Sequence, residues 1–141
     1  MPALLEVKLL DSECHPIRAY PNDAGLDLKC QRDTTIWPLE TKEVDTGIAI
    51  KLPAGFVGLI VPRSSWRKRG LVIQATYDAG FTGPVQVQTT FISPGRDPIV
   101  IKRGERFAQL IIVPLTIMPL TQVQELGETT RGENGLGSTG E

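Results

Sequence analysis

Short runs of strand-like residues, cut by turn signals roughly every 8–12 residues, restrict this chain to a narrow set of folds. No segment carries the apolar period of a long amphipathic helix. Residues 85–91, Val-Gln-Val-Gln-Thr-Thr-Phe, alternate almost ideally between apolar and polar. Residues 4–10 alternate well enough to predict a half-buried strand, and Leu26, Leu28 and Cys30 share one face of another. Further runs fall at 34–37, 42–44, 48–52, 58–61, 71–73, 99–101 and 107–113, with breaks at Pro38, Gly47, Pro53-Ala54-Gly55 and Ser93-Pro94-Gly95. The pattern is that of an all-β sandwich or barrel, with one short helix expected just after Ser64.

The chain's 141 residues suit one domain. The apolar pattern fades after Leu120, so a β-domain is expected over 1–126 and a flexible glycine-rich tail over 127–141, GETTRGENGLGSTGE. A net charge of -1 without a long run of one sign argues against general nucleic-acid binding, which needs a basic face. A phosphate-bearing small molecule needs only a local cluster. Cys14, Cys30 and the single His15 show no metal-ligand spacing. No apolar run approaches membrane-spanning length and the first residues do not resemble a signal peptide, so a soluble, cytoplasmic protein with reduced thiols is expected.

The chemistry concentrates in residues 58–84. Val61-Pro62 ends a strand, because proline has no N–H for the ladder. Ser64 and Ser65 follow where a helix begins, offering hydroxyls and free N–H groups to an anion. Fifteen residues after Arg63, Asp78 enters a glycine-containing turn, a rigid place for a base. Together they suggest phosphate-ester hydrolysis, although the same residues also read as a plain N-cap, a solvated basic turn and a common Asp-Ala-Gly turn. Asp27 lies beside Gly25, which admits another backbone; as a strand-edge aspartate it reads first as a solvated group. Gln109 interrupts an apolar strand, either as a satisfied core amide or as a ligand contact. In the tail, Arg131, Gly135, Ser138 and Thr139 are residues a loop uses to wrap phosphates, which suits a closing lid.

Five segments in order, AGLDL (24–28), PRSSWRKRGL (62–71), YDAGFTGP (77–84), RGERFAQLI (103–111) and RGENGLGSTG (131–140), resemble the five motifs of the trimeric dUTP diphosphatases, the dUTPases. The resemblance implies a jelly-roll-like, distorted β-barrel subunit that trimerises and builds each active site from more than one subunit. It implies that Asp78 is the general base for water attacking the α-phosphorus of dUTP. It places Ser64, Ser65 and Gln109 on the phosphates, Arg63 in support of the site, and Asp27 near a Mg²⁺ ion through water. Phe81 stands where the family has a tyrosine under the deoxyribose. The tail would close with Arg131 on the γ-phosphate, Ser138 and Thr139 beside it, and Gly135 in the loop.

The chain departs from the family at the base. Between Arg63 and Asp78 it is short, so the uracil-reading hairpin is trimmed and falls loosely on Gln74, Ala75, Thr76 and Tyr77. Tyr77 replaces an aliphatic residue, Phe81 lacks a hydroxyl, and Leu136 replaces an aromatic whose stack is worth roughly 1 kcal/mol. The related dCTP deaminases, or a bifunctional member, form one alternative. Their proton-shuttling glutamate corresponds here to Gln88, whose amide cannot do that work. A nucleotide-binding regulatory protein of the same fold is another.

Overall fold

The computed structural model describes residues 2–135. Ten strands form: β1 (Glu6–Leu9), β2 (Gly25–Lys29), β3 (Thr34–Ile36), β4 (Thr41–Lys51), β5 (Phe56–Pro62), β6 (Leu71–Ile73), β7 (Ala75–Tyr77), β8 (Pro84–Phe91), β9 (Ile99–Ile101) and β10 (Arg106–Pro114). One helix, α1 (Ser64–Lys68), and a 3-10 turn at Ser12–Cys14 complete the described elements. The strands pair antiparallel in two four-stranded sheets, β1-β4-β8-β6 and β2-β10-β5-β7, with β3 and β9 as a separate pair. The result is the expected all-β, jelly-roll-like sandwich. Its core is one cluster fed by both sheets, in which Val44, Val87, Ile60, Leu110 and Phe107 are essentially sealed from solvent.

Local chemistry explains where the elements start and stop. β5 ends on Pro62, and Arg63 takes an extended conformation (φ −65°, ψ 150°) as the cap of α1, leaving Ser64 and Ser65 as its first two residues. No side chain caps that helix. Trp66 anchors it, buried beneath the Arg69 guanidinium, which lies 4.4 Å from the ring centre. Gly70 then turns the chain into β6 at φ +102°, with the Ile92 carbonyl oxygen only 2.3 Å from where a Cβ would stand, so a side chain is excluded.

Two strand expectations need correction. The runs at 42–44 and 48–52 are one strand, β4, because Gly47 (φ +71°) makes a bulge within it instead of a break; the pairing with β8 shifts between Asp45 and Ala49. β1 is not half-buried in the single chain: Val7 and Leu9 are 37% and 39% exposed and border a cleft with Leu5, Pro16 and Leu26. β10 ends at Pro114, and from there to residue 135 no strand or helix forms; Ile117, Met118, Leu120 and Leu126 are exposed.

An ion pair fastens the turn before β10 to the N-terminal segment. Arg103 donates through both terminal nitrogens to Asp11, at 2.5 and 3.1 Å, and also to the Gln31 carbonyl oxygen. Arg103 first, and then the Glu13 N–H, hold the Asp11 carboxyl at about 2, below its ordinary 3.8. A depressed folded value means that the stability this group adds is complete above about pH 4 and lost as pH falls through about 2. Melts taken down a pH series should therefore show wild type above Asp11→Asn at neutral pH, the gap closing between about pH 4 and 2. A gap independent of pH rules this out.

Candidate active site

Two clefts, sharing no lining residue, carry the candidate residues. The first, about 370 Å³, lies on the β2–β10 face of its sheet and is bounded by Gly25, Asp27, Arg63, Ser64 and Gln109, with Tyr20 and Asp23 at its mouth. Its centre is Asp27, which is not a solvated strand-edge group but 7% exposed. Asp27 Oδ2 receives Arg63 Nε and Arg106 Nη1, each at 3.3 Å. Arg63 is held further by its N–H to the Phe107 carbonyl oxygen (3.0 Å) and by Nη1 to that of Arg106 (3.3 Å). The Trp66 indole N–H donates to the same Arg106 carbonyl at 3.0 Å, so the helix, β5 and β10 are tied at one point.

Gln109 stands opposite Asp27 in the β2–β10 ladder, its amide nitrogen 3.4 Å from the Pro62 carbonyl oxygen. Gly25 makes room for it: a Cβ there would sit 2.1 Å from Gln109 Oε1 and 2.9 Å from its Cβ. The close approach expected at Gly25 is thus made by a side chain, not by another backbone. Gly25→Ala should push the amide out of the cleft, shift β2 slightly against β10 because Gln109 Cβ also lies within 2.9 Å, and raise KM for the phosphate ligand by at least about tenfold, the worth of one hydrogen bond to a charged group. Unchanged steady-state kinetics would separate Gln109 from ligand binding.

The second cleft, about 350 Å³, opens between β7 and the polar face of β4 and β8. Thr76, Tyr77, Asp78 and Phe81 form one wall, Glu43, Pro84 and Gln86 the other. Asp78 is exposed at the head of a turn closed by the Phe81 N–H on its carbonyl oxygen at 3.1 Å. Phe81 leans on Tyr77, centroids 5.6 Å apart and planes at 57°. The Tyr77 hydroxyl donates to the Gln86 carbonyl oxygen at 2.9 Å. Burial pushes the phenol up from its ordinary value, that bond offsets part of the rise, and the charge of Glu43 adds to it.

Of the sequence candidates, Asp27, Arg63, Ser64 and Gln109 meet in one cleft, and Thr76, Tyr77, Asp78 and Phe81 in the other. Ser65 is exposed on α1 beside the first cleft without lining it. Gln74 is the single residue between β6 and β7, and neither it nor Ala75 lines the second cleft. Arg131 closes on its own turn, bonding the carbonyl oxygens of Asn134 (2.6 Å) and Gly135 (2.8 Å). Leu136, Ser138 and Thr139 lie outside the described residues. Sequence reasoning missed Arg106, Trp66 and Glu43. Arg106 could have been found only by anticipating a bulge, because β10 carries an extra residue between Arg106 and Ala108. The bulge turns Arg106 and Gln109 to the same face despite their odd spacing.

Fold and clefts define a class: antiparallel jelly-roll-like sandwiches with a guanidinium-and-hydroxyl cradle on one sheet and a separate carboxylate turn at the edge strand β7. The family model described as dUTPase matches residues 13–140, and the chain belongs to the dUTPase family. Proteins named deoxyuridine 5'-triphosphate nucleotidohydrolase are similar nearly end to end. That of Corynebacterium jeikeium is 44% identical, the match covering 98% of this chain and 94% of the relative; that of Corynebacterium glutamicum is 43% identical, covering 98% and 95%. Among solved structures, the Staphylococcus bacteriophage 80alpha dUTPase with dUPNHPP superposes with a TM-score of 0.88 at 30% identity, covering 98% of this chain and 99% of that one. A variant of the dUTPase from phage phi11 of S. aureus, described with a structural Mg(II) ion, does so at 0.80 and 27%, covering 89% and 99%.

Proposed function

We propose that this protein hydrolyses dUTP to dUMP and pyrophosphate in a site completed between copies of the chain. The observation that carries the reading is the division of labour between the clefts. One holds cationic and amide donors around Asp27, suited to phosphate oxygens, and the other holds an exposed carboxylate beside an aromatic floor. Neither is a complete hydrolase site. A homotrimer in which the Asp78 cleft of one copy faces the Arg63 cleft of the next completes it, and exposed apolar side chains such as Trp37, Leu39 and Ile92 supply surface for association.

In this mechanism Phe81 packs under the deoxyribose, leaving no space for a 2′-hydroxyl. Ser64, Ser65 and Gln109 bond the phosphate oxygens. The guanidinium of Arg63, held by Asp27, adds positive potential as charge develops. Asp78 takes the proton from a water attacking the α-phosphorus in line, and pyrophosphate leaves. The tail carrying Arg131 and Gly135 would open its own turn to cover the triphosphate, with Leu136, Ser138 and Thr139 following.

Mg²⁺ suits these residues as a substrate-borne ion. Among the described residues no three of His, Cys, Asp and Glu gather, so these residues form no all-protein cage. Both guanidiniums bond Asp27 through Oδ2, which leaves Oδ1 to accept from a metal-bound water. When bound, the ion would neutralise and align the phosphates. Among the described residues no helix is long and apolar enough to cross a membrane.

The test is product analysis with Mg²⁺ and dUTP, dCTP, dTTP or UTP, together with the mass of the protein in solution. Pyrophosphate and dUMP from dUTP by a trimer is the expected result. Ammonia from dCTP, or binding without turnover, would overturn it in favour of deamination or a regulatory role.

A further inference from the structure

The second cleft contains a carboxylate that the hydrolysis does not use. Glu43 lies on the exposed face of β4, directly opposite Gln88 in the ladder, and lines the cleft across from Thr76, Tyr77 and Asp78. The other polar side chain lining that wall, Gln86, is engaged. Gln86 donates its amide to Asp45 Oδ1 at 2.8 Å, and Asp45 also binds Arg32 at 3.0 Å. The Tyr77 hydroxyl is committed to the Gln86 carbonyl oxygen. Among the described residues the Glu43 carboxylate has neither a hydrogen-bond nor an ion-pair partner. It is therefore an unused acceptor facing a cleft that, on the proposed function, receives a nucleoside.

The opposite wall has no loop to fold over a base. Between Ile73 and Ala75 one residue, Gln74, carries the chain from one sheet to the other, too little to fold a loop over a base. β7 pairs only with β5 and ends its sheet, so it offers its outer backbone edge and the exposed Thr76 hydroxyl. A carboxylate also determines which end of the nucleotide it meets. It repels a triphosphate, and it has no proton with which to bond the carbonyl oxygens of uracil. The one group on the Watson–Crick edge of uracil that can donate to it is the ring N3–H.

We infer that Glu43 is a specificity-determining residue which accepts the N3–H of the uracil ring and so fixes the base at the β4–β8 wall and the phosphates away from it. Cytosine, unprotonated at N3, would present a lone pair to the same oxygen. The inference rests on the hydrolase reading and adds a substrate contact to it.

The probes are dUTP and dUTP methylated at N3, tested on wild type, Glu43→Ala and Glu43→Gln. Glu43 is exposed and unpartnered, so neither change should disturb folding. Glu43→Ala should raise KM for dUTP about tenfold to a hundredfold, the worth of a hydrogen bond to a charged group, with kcat nearly unchanged. Glu43→Gln should recover part of that loss, because an amide oxygen still accepts but carries no charge. N3-methylation should cost wild type a similar factor and cost Glu43→Ala little. An unchanged KM in Glu43→Ala, or a methyl penalty equal in wild type and variant, overturns the inference. Wild-type protein that releases no pyrophosphate from dUTP at all overturns the hydrolase reading first, a distinguishable result.

Discussion

Asp78→Asn should abolish pyrophosphate release from dUTP, lowering turnover by about 10²–10⁴, the contribution of a positioned general base, while substrate binding survives. The side chain is exposed, makes no hydrogen bond or ion pair among the described residues, and stands at the head of a turn closed through its main chain. Its replacement should therefore shift stability by no more than about 0.5 kcal/mol. Asparagine keeps shape and volume but cannot take a proton, so the loss should fall on kcat, with KM within a few-fold of wild type. Asp78→Glu extends the same chemistry by one methylene. A misplacement of about 1 Å can cost on the order of a hundredfold, so glutamate should restore only part of the rate. Rapid-quench single turnovers with dUTP separate chemistry from product release. A variant that keeps more than a tenth of the wild-type chemical step would remove Asp78 from the base role.

The same turn shows what could be read before any coordinates. Asp78 declares itself because a lone carboxylate in a Gly-containing turn next to Phe81 is local in sequence, and local chemistry survives translation into structure. The strands were legible for the same reason: alternation over residues 85–91 is the pleat itself, and β8 spans Pro84–Phe91. What was hidden depended on register. Strict alternation puts Arg106 and Gln109 on opposite faces, and only the bulge before Ala108 brings them together over Asp27. Gly47 misled in the other direction, because a glycine that bulges a continuous strand looks in sequence like one that ends it. Glu43 was invisible because its strand is far in sequence from residues 76–81, and only the meeting of β7 with the β4–β8 face makes them neighbours. The separation of the two clefts needed coordinates as well, since Arg63 and Asp78 are only fifteen residues apart.

Asp27→Ala should be the most damaging change away from the reacting atoms. Two opposed effects follow from removing this carboxylate. The cleft becomes more positive by one charge, which favours a triphosphate. Against that, Arg63 and Arg106 lose the oxygen that holds both, and two guanidiniums a few ångströms apart then repel each other. Positioning should outweigh the added charge, because a guanidinium stabilises a transition state only if it need not be reorganised during the reaction. The carboxylate is about 10% exposed and the arginine side chains about a third, so screening is partial. The stability cost should be roughly 2 kcal/mol, between the values for surface and buried pairs. The rate should fall about a hundredfold through kcat, while KM stays level or drops as the extra positive charge strengthens ground-state binding. Asp27→Asn supplies the control, since its amide oxygen can still accept from one guanidinium but carries no charge. It should retain most of the stability and lose most of the rate. If Asp27→Ala raised KM and left kcat alone, Asp27 would act in ground-state binding only and the two arginines would not depend on it for their catalytic placement.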